Sequence, residues 1–271
     1  MKEPLYIVKI GGNIIDQEEK LASFLRAFAE LAPPGSDPGL GRKILIHGGG
    51  KLATRLAEKL GIEQKILDGR RITDAETLRI VTMVYAGYIN KTIVAQLQAQ
   101  GCNALGLCGA DGDAILAHKR RHPVLDYGYV GDIDAVNTDL LTTLLQKNIT
   151  LVLAPITHDQ QGQLLNTNAD TIAQEVATSL SNQFDVRLIY CFEKSGVLLN
   201  AEDDSTVIPT LNRERYRQLK EKETIFAGMI PKLDNAFAAL DRGVSRVIIG
   251  KAEQLPGLAA GRAGTTITND E

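Results

Sequence analysis

Apolar positions along the chain fall into two alternating rhythms. Short β-branched runs predict strands at Leu5–Ile10, Lys43–His47, Ala104–Leu107, Thr150–Leu153, Arg187–Cys191 and Arg246–Ile249. Longer stretches with a helical period lie between them. They predict helices at Glu18–Leu31, Leu52–Leu60, Asp74–Gln100, Thr138–Lys147, Ala169–Leu180, Arg213–Glu221 and Ile230–Arg242. Gly61, Gly101 and Gly243 stand just past three of these helices, where a left-handed residue ends a helix cheaply. Strand and helix in alternation argue an α/β fold on a largely parallel sheet. From Ala110 to Asn137 the rhythm shortens to alternating segments with turn residues, which predicts an antiparallel flap. "THDQQGQLLN" at 157–166 predicts a hairpin turning at Gln160–Gly162. "PPGSDPGLG" at 33–41 is a breaker-rich surface loop. No polar linker occurs near residue 180, so two lobes of one extended sheet are expected, 1–180 and 181–271.

Composition narrows the classes. The 271 residues are 44% hydrophobic and 23% charged, ordinary for a globular protein of one large domain or two lobes. A net charge of -3 offers no overall attraction for nucleic acid or anionic membrane. No run approaches the ~20 apolar residues of a membrane span. The N-terminal apolar run is too short for a signal peptide, and three unpatterned cysteines (Cys102, Cys108 and Cys191) suit a reducing compartment. A cytoplasmic protein is expected.

The candidate chemistry lies where strands end in glycine. "VKIGG" places Lys9, Gly11 and Gly12 at the end of the first strand. "KILIHGGGKLATRLAEKLG" is a strand, a triple glycine and an amphipathic helix in succession. Glycines there let a ligand reach the backbone, and a helix N-terminus offers unpaired N–H groups. A turn rich in glycine for conformation alone is the plain alternative. Gly48, Gly50 and Ala53 also fit the dinucleotide pattern G-x-G-x-x-A, with Asp68 at a tolerable distance for a ribose. "HGGG" as a hydrolase oxyanion turn fails for want of a G-x-S-x-G elbow, and the Walker pattern is absent. Both glycine turns are expected to end neighbouring strands, side by side at the carboxyl edge of a parallel sheet, where such folds bind ligands.

Further polar residues gather by sequence at the same edge. "DGRRITD" sets Arg70 and Arg71 before a helix with Thr73 as the expected N-cap, suited to gripping a carboxylate or simply solvated. "LLNTNADTIAQEVA" brings Asn166, Asn168 and Asp170 to a helix start where one cap would suffice. "FAGMIPKLDNAFAAL" puts Gly228 and Lys232 at another helix entrance, where lysine opposes the helix dipole unless an anion compensates. "HKRRHP" at 118–123 lacks aromatic interleaving and is expected to be a solvated hairpin.

In this order, "VKIGG", "IHGGG", "GRRIT", "GLCGADGD", "LLNTNADTIA", "GMIPKLDNA" and "KAEQLP…GTTI" resemble the amino-acid-kinase family over nearly the whole chain. The resemblance implies a three-layer αβα sandwich and phosphoryl transfer from ATP, with Mg²⁺ held mainly by the nucleotide. The acceptor it implies is the side-chain carboxylate of an N-acetyl- or N-succinyl-L-glutamate, in arginine biosynthesis. Carried over, Lys9 and Lys232 are the catalytic lysines and Asp170 organises them. Gly49, Gly50, Arg71 and Asn166 bind the acyl amino acid. Gly11, Gly12, Ser195, Gly196, Val197, Leu198, Gly228 and Met229 bind the nucleotide. The first lobe then carries acceptor and dimer contacts, the second ATP. A carboxylate or carbamate kinase of the same family, a dinucleotide enzyme and a non-catalytic sensor are the rival readings.

Two features set the chain apart. The family commonly has "DV-x-GV" after the strand that opens the nucleotide lobe. Here the segment reads Cys191–Phe192–Glu193–Lys194 before Ser195–Gly196–Val197, which leaves ribose contacts open. The chain also starts almost at its first strand, without the extra helix of arginine-inhibited hexameric relatives. An arginine-insensitive homodimer built on Ile80–Leu97 is therefore expected, and Arg70 is the candidate for reading a succinyl carboxylate.

Overall fold

The computed structural model describes residues 2–32, 41–67, 70–200, 202–222, 225 and 229–269. Its first half contains strands β1 (Pro4–Ile10), β2 (Arg42–His47), β3 (Lys65–Leu67), β4 (Arg70–Ile72), β5 (Ala104–Leu107), β6 (Ile115–Lys119) and β7 (Gly131–Val136). Then follow β8 (Thr150–Leu153), β9 (Ile156–His158), β10 (Leu164–Asn166), β11 (Asp185–Phe192), β12 (Thr210–Leu211), β13 (Arg246–Lys251) and β14 (Thr265–Ile267). The helices are α1 (Gly12–Ile15), α2 (Glu18–Ala29), α3 (Gly50–Lys59), α4 (Ala75–Thr82) and α5 (Asn90–Ala99). They continue with α6 (Thr138–Gln146), α7 (Ala169–Leu180), α8 (Arg213–Glu221), α9 (Ile230–Asp241) and α10 (Leu255–Ala259).

Eight strands form one sheet in the order β12-β14-β13-β11-β1-β2-β8-β5. From β13 to β5 all neighbours are parallel, while β14 runs antiparallel to β13. Alternation along β1 sorts its residues to the two faces: Leu5 and Ile7 join one core, Tyr6, Val8 and Ile10 the other. The first core is covered by α6, α7, α8 and α9, the second by α2, α3, α4, α5 and α10. The expected three-layer αβα sandwich is the observed one. Among the described residues no helix is long and apolar enough to cross a membrane.

A second sheet, β10-β9-β6-β7, is the expected flap with the 157–166 hairpin joined to it. It is fastened to the turn between β4 and α4 through Thr73, whose N–H donates to the Tyr127 carbonyl (2.9 Å) and whose carbonyl accepts from Tyr129 (2.6 Å).

The expected helix 74–100 is broken into three. Residues Met83–Ile89 between α4 and α5 are π-helical, with hydrogen bonds one residue longer than the α pattern. The N-cap of α4 is Asp74, which accepts from the Thr77 N–H at 2.8 Å, and not Thr73, which is occupied with the flap. Arg70 and Arg71 follow the short strand β3 and themselves begin β4, which pairs back onto it. The strands β12 and β14 are too short for their alternation to register in the sequence.

Candidate active site

Every parallel strand of the main sheet ends on the same edge, and the two glycine turns meet there. The Gly48 N–H donates to the Ile10 carbonyl at 3.1 Å, joining the end of β1 to the end of β2. Gly49 caps α3 with φ 152°, and a Cβ there would fall 2.3 Å from Ile89 Cδ1. The Gly-Gly-Gly turn is therefore pressed against the π-helical segment, and glycine is required by both backbone and space.

On one side of this junction is a cleft of about 330 Å³ lined by Gly48, Gly49, Gly50, Arg71, Asn166 and residues around them. Arg71 is held by uncharged groups. Its Nη2 donates to the Gly50 carbonyl (3.0 Å) and Thr54 Oγ1 (2.8 Å), and its Nη1 to Gln64 Oε1. Among the described residues no carboxylate pairs with it, so the guanidinium keeps its charge for an incoming anion. Asn166 is fixed by donating to Thr73 Oγ1 at 3.0 Å. The Asn168 side chain is the actual N-cap of α7, accepting from Asp170 and Thr171 N–H groups. That cap leaves the Asp170 carboxylate for other partners.

On the other side is a cleft of about 310 Å³ with largely apolar walls: Ile14, Phe192, Val197, Leu198, Met229 and Ile249 among them, with Gly11, Gly196 and Lys232 at its polar side. A flat heteroaromatic ring suits such walls. Ser195 turns away to hydrogen-bond Asp204. Gly12 lies against the other glycine turn, with Gly48 close to its N–H. Gly228 is outside the described residues, as are Asp68 and the side chain of Arg70.

Between the clefts stand the expected catalytic residues. Lys9 is buried and its Nζ lies 2.8 Å from Asp170 Oδ1. Lys232 reaches the same place from the first turn of α9. Its Nζ sits 3.6 Å from the centroid of the Phe192 ring, and Lys9 Nζ sits 5.7 Å from that centroid. Burial lowers the Lys232 pKa; Asp170 opposes that, nearby Lys9 adds to it and Glu193 opposes it. Two lysines from the two ends of the chain thus converge on one ring.

The sequence reading missed three wall residues. Arg120, expected in a solvated hairpin, instead lines the Arg71 cleft with its guanidinium paired to Asp132 (2.5 Å). Tyr85, on the π-helical segment, and Lys51, in the first turn of α3, line the same cleft. Lys51 in the first turn opposes the helix dipole as Lys232 does, which is the signal that was available.

An open parallel sheet with paired glycine turns and converging lysines at its carboxyl edge defines an α/β protein built to handle anions. The chain belongs to the amino acid kinase family, whose model matches residues 4–251. It is 54% identical over 256 residues to the acetylglutamate kinase of Cytophaga hutchinsonii, covering 93% of each chain. It is 52% identical over 253 residues to that of Parabacteroides distasonis, covering 93% of this chain and 96% of the other. A solved N-acetylglutamate synthase from Neisseria gonorrhoeae, complexed with coenzyme A and N-acetyl-glutamate, superposes at TM-score 0.80 with 24% identity. The match covers 98% of this chain and 60% of that one. Carbamate kinase from Giardia lamblia bound to AMP-PNP gives TM-score 0.69 at 13% identity, over 99% of both chains. These two likenesses establish the fold.

Proposed function

We propose that the protein transfers the γ-phosphoryl group of ATP to the side-chain carboxylate of N-acetyl-L-glutamate. The observation that carries this reading is the pair of lysines standing between an apolar cleft and a cleft that presents Arg71. Curated relatives above 50% identity named acetylglutamate kinase supply the acceptor.

The chemistry needs no general base. A glutamate side chain ionises near pH ~4.3, so it meets the nucleotide already as a nucleophile. The barrier lies in bringing an anion to a polyanion. Lys9 and Lys232 would meet the transferring group from its two sides, and amides of Gly11, Gly12, Gly49 and Gly50 would offer N–H donors to its oxygens. Arg71 would hold the α-carboxylate and Asn166 the acylamino part. Val197, Leu198 and Met229 would pack the base, with Gly196 and Gly228 completing that side and Ser195 supporting the turn from behind through Asp204. Asp170, already bonded to Lys9, suits ordering that lysine better than ligating a metal. Among the described residues no cluster of three His, Cys, Asp or Glu side chains is placed to hold an ion. Mg²⁺ would accompany the nucleotide as its phosphate-bound counterion.

The division of labour follows the chain, residues 1–180 taking the acceptor and 181–271 the nucleotide. We read the enzyme as a cytoplasmic homodimer of amino-acid biosynthesis. What supports the dimer is a groove where Met83 and Tyr88 stand 50% and 66% exposed beside Leu52 and Leu56 of α3. The i to i+5 repeat of the π segment sets the first two one turn apart.

Trapping the acyl phosphate with hydroxylamine in the presence of Mg-ATP tests the reading. Hydroxamate should form with N-acetyl-L-glutamate, and running N-succinyl-L-glutamate alongside fixes the acyl preference. Lys9→Met and Lys232→Met should each lower turnover by at least about 100-fold, the loss of one preorganised donor. Near-wild-type turnover in either would remove that lysine from the mechanism.

A further inference from the structure

We propose that Phe192 is a positioning residue for phosphoryl transfer, its ring serving as the shared neutral surface that holds the ammonium groups of Lys9 and Lys232 together between the two clefts. The inference rests on the kinase reading above and goes beyond it, because it assigns a task to the segment where this chain departs from its family.

The problem the ring solves is electrostatic. Two ammonium groups brought to one point repel each other, and a single carboxylate, Asp170, is bonded to only one of them. A carboxylate in direct contact with Lys232, closer than Asp170 and Glu193 stand, would neutralise the charge that the transferring group needs. The face of an aromatic ring attracts a cation through its quadrupole while leaving the net charge in place. Lys232 Nζ at 3.6 Å from the centroid is in direct contact with the ring, and Lys9 at 5.7 Å is within range.

The ring is itself held. Tyr190 and Phe192 share one face of β11 by the two-residue alternation, and their rings stack at 6.0 Å with an interplanar angle of 9°. Tyr190 lies directly opposite Lys9 in the β1–β11 register. Its hydroxyl donates to the Asp170 backbone carbonyl at 3.3 Å, tying the stack to the start of α7. Strand β1, helix α7 and helix α9 therefore each contribute one member to a single assembly, and strand β11 contributes two. The charged groups around Lys232 are Asp170 from α7, Lys9 from β1, and Glu193 and Lys194 from the segment after β11. Burial already pulls the Lys232 proton towards solvent, so loss of the ring should weaken its hold further.

The test uses the full chain in the hydroxamate assay, comparing Phe192→Leu and Phe192→Trp with wild type in kcat, KM for both substrates, and the alkaline limb of the pH profile. Phe192→Leu should lower kcat about tenfold, keep KM for the acceptor within about threefold, and move the alkaline limb roughly half a pH unit or more towards neutrality. Phe192→Trp should restore both. An unchanged kcat and limb in the leucine variant overturns the proposal. A drop in kcat with an unmoved limb and no rescue by tryptophan also overturns it, since the ring then only fills space. If Phe192→Leu does not fold, fluorinated phenylalanines at 192 keep the shape while draining the ring face of negative charge. Graded loss of kcat supports the proposal and a flat series ends it. Absence of hydroxamate with the wild-type enzyme would instead overturn the kinase reading.

Discussion

His47 is completely buried at the end of β2, with its Nδ1–H donated to the Gly48 carbonyl (2.8 Å) and its Nε2 accepting from the Asn90 amide (3.2 Å). Burial, partly opposed by the Gly48 contact, drives its pKa down from the usual 6.5 to about 4. The imidazole is thus a neutral strut behind the triple-glycine turn and not a catalytic base. Because the unfolded chain binds this proton more readily than the folded one, the stability it allows is full above pH ~6.5 and lost as pH falls through about 4, by roughly 3 kcal/mol. Urea midpoints measured from pH 7 to pH 4 should fall less steeply in His47→Gln than in wild type; parallel slopes would contradict this. At this scale the sequence was legible wherever a residue sat in a place that costs energy. Lys232 against a helix dipole and Asp170 as a surplus to the Asn168 cap were readable for that reason. Phe192 was not, because an aromatic residue at a strand end looks like core, and only tertiary contact puts two amines on its face.

The interrupted helix between residues 75 and 99 shows what sequence periodicity leaves out. Its apolar residues continue without a break, so the pattern reads as one long helix, yet the π-helical segment Met83–Ile89 shifts the register by lengthening one turn. That shift brings Tyr85 and Ile89 onto Gly49 and places Asn90 against His47. Gly49→Ala should therefore act through the element. It adds left-handed strain of about 1–3 kcal/mol and displaces Ile89, lowering the melting temperature and raising KM for the acceptor. A thermal melt and acceptor kinetics matching wild type would show that the turn and the π segment are not coupled. The central strands were legible because continuous β-branched runs have few other homes. The strands β12 and β14 were not, since two or three residues carry no measurable alternation.

For the whole molecule, the groove at Met83 and Tyr88 predicts self-association. Met83→Glu combined with Tyr88→Glu should convert a dimer to a monomer in sedimentation analysis while leaving the far-UV spectrum unchanged; a wild-type monomer would refute the proposed interface. The general architecture was readable in advance from alternation alone, and the chain order of the glycine turns placed both on one edge. That the two turns would end neighbouring strands was also expected, whereas the adjacency of β1 to β11 was not readable, because it is a property of sheet order. That adjacency has a mechanical outcome. The two halves of the sheet are laced together from Pro4 opposite Asp185 to Ile10 opposite Cys191, along strands that are mostly buried. Parting the two halves there would break a seven-residue ladder, so any movement of one half against the other is expected to twist the sheet and leave the seam paired.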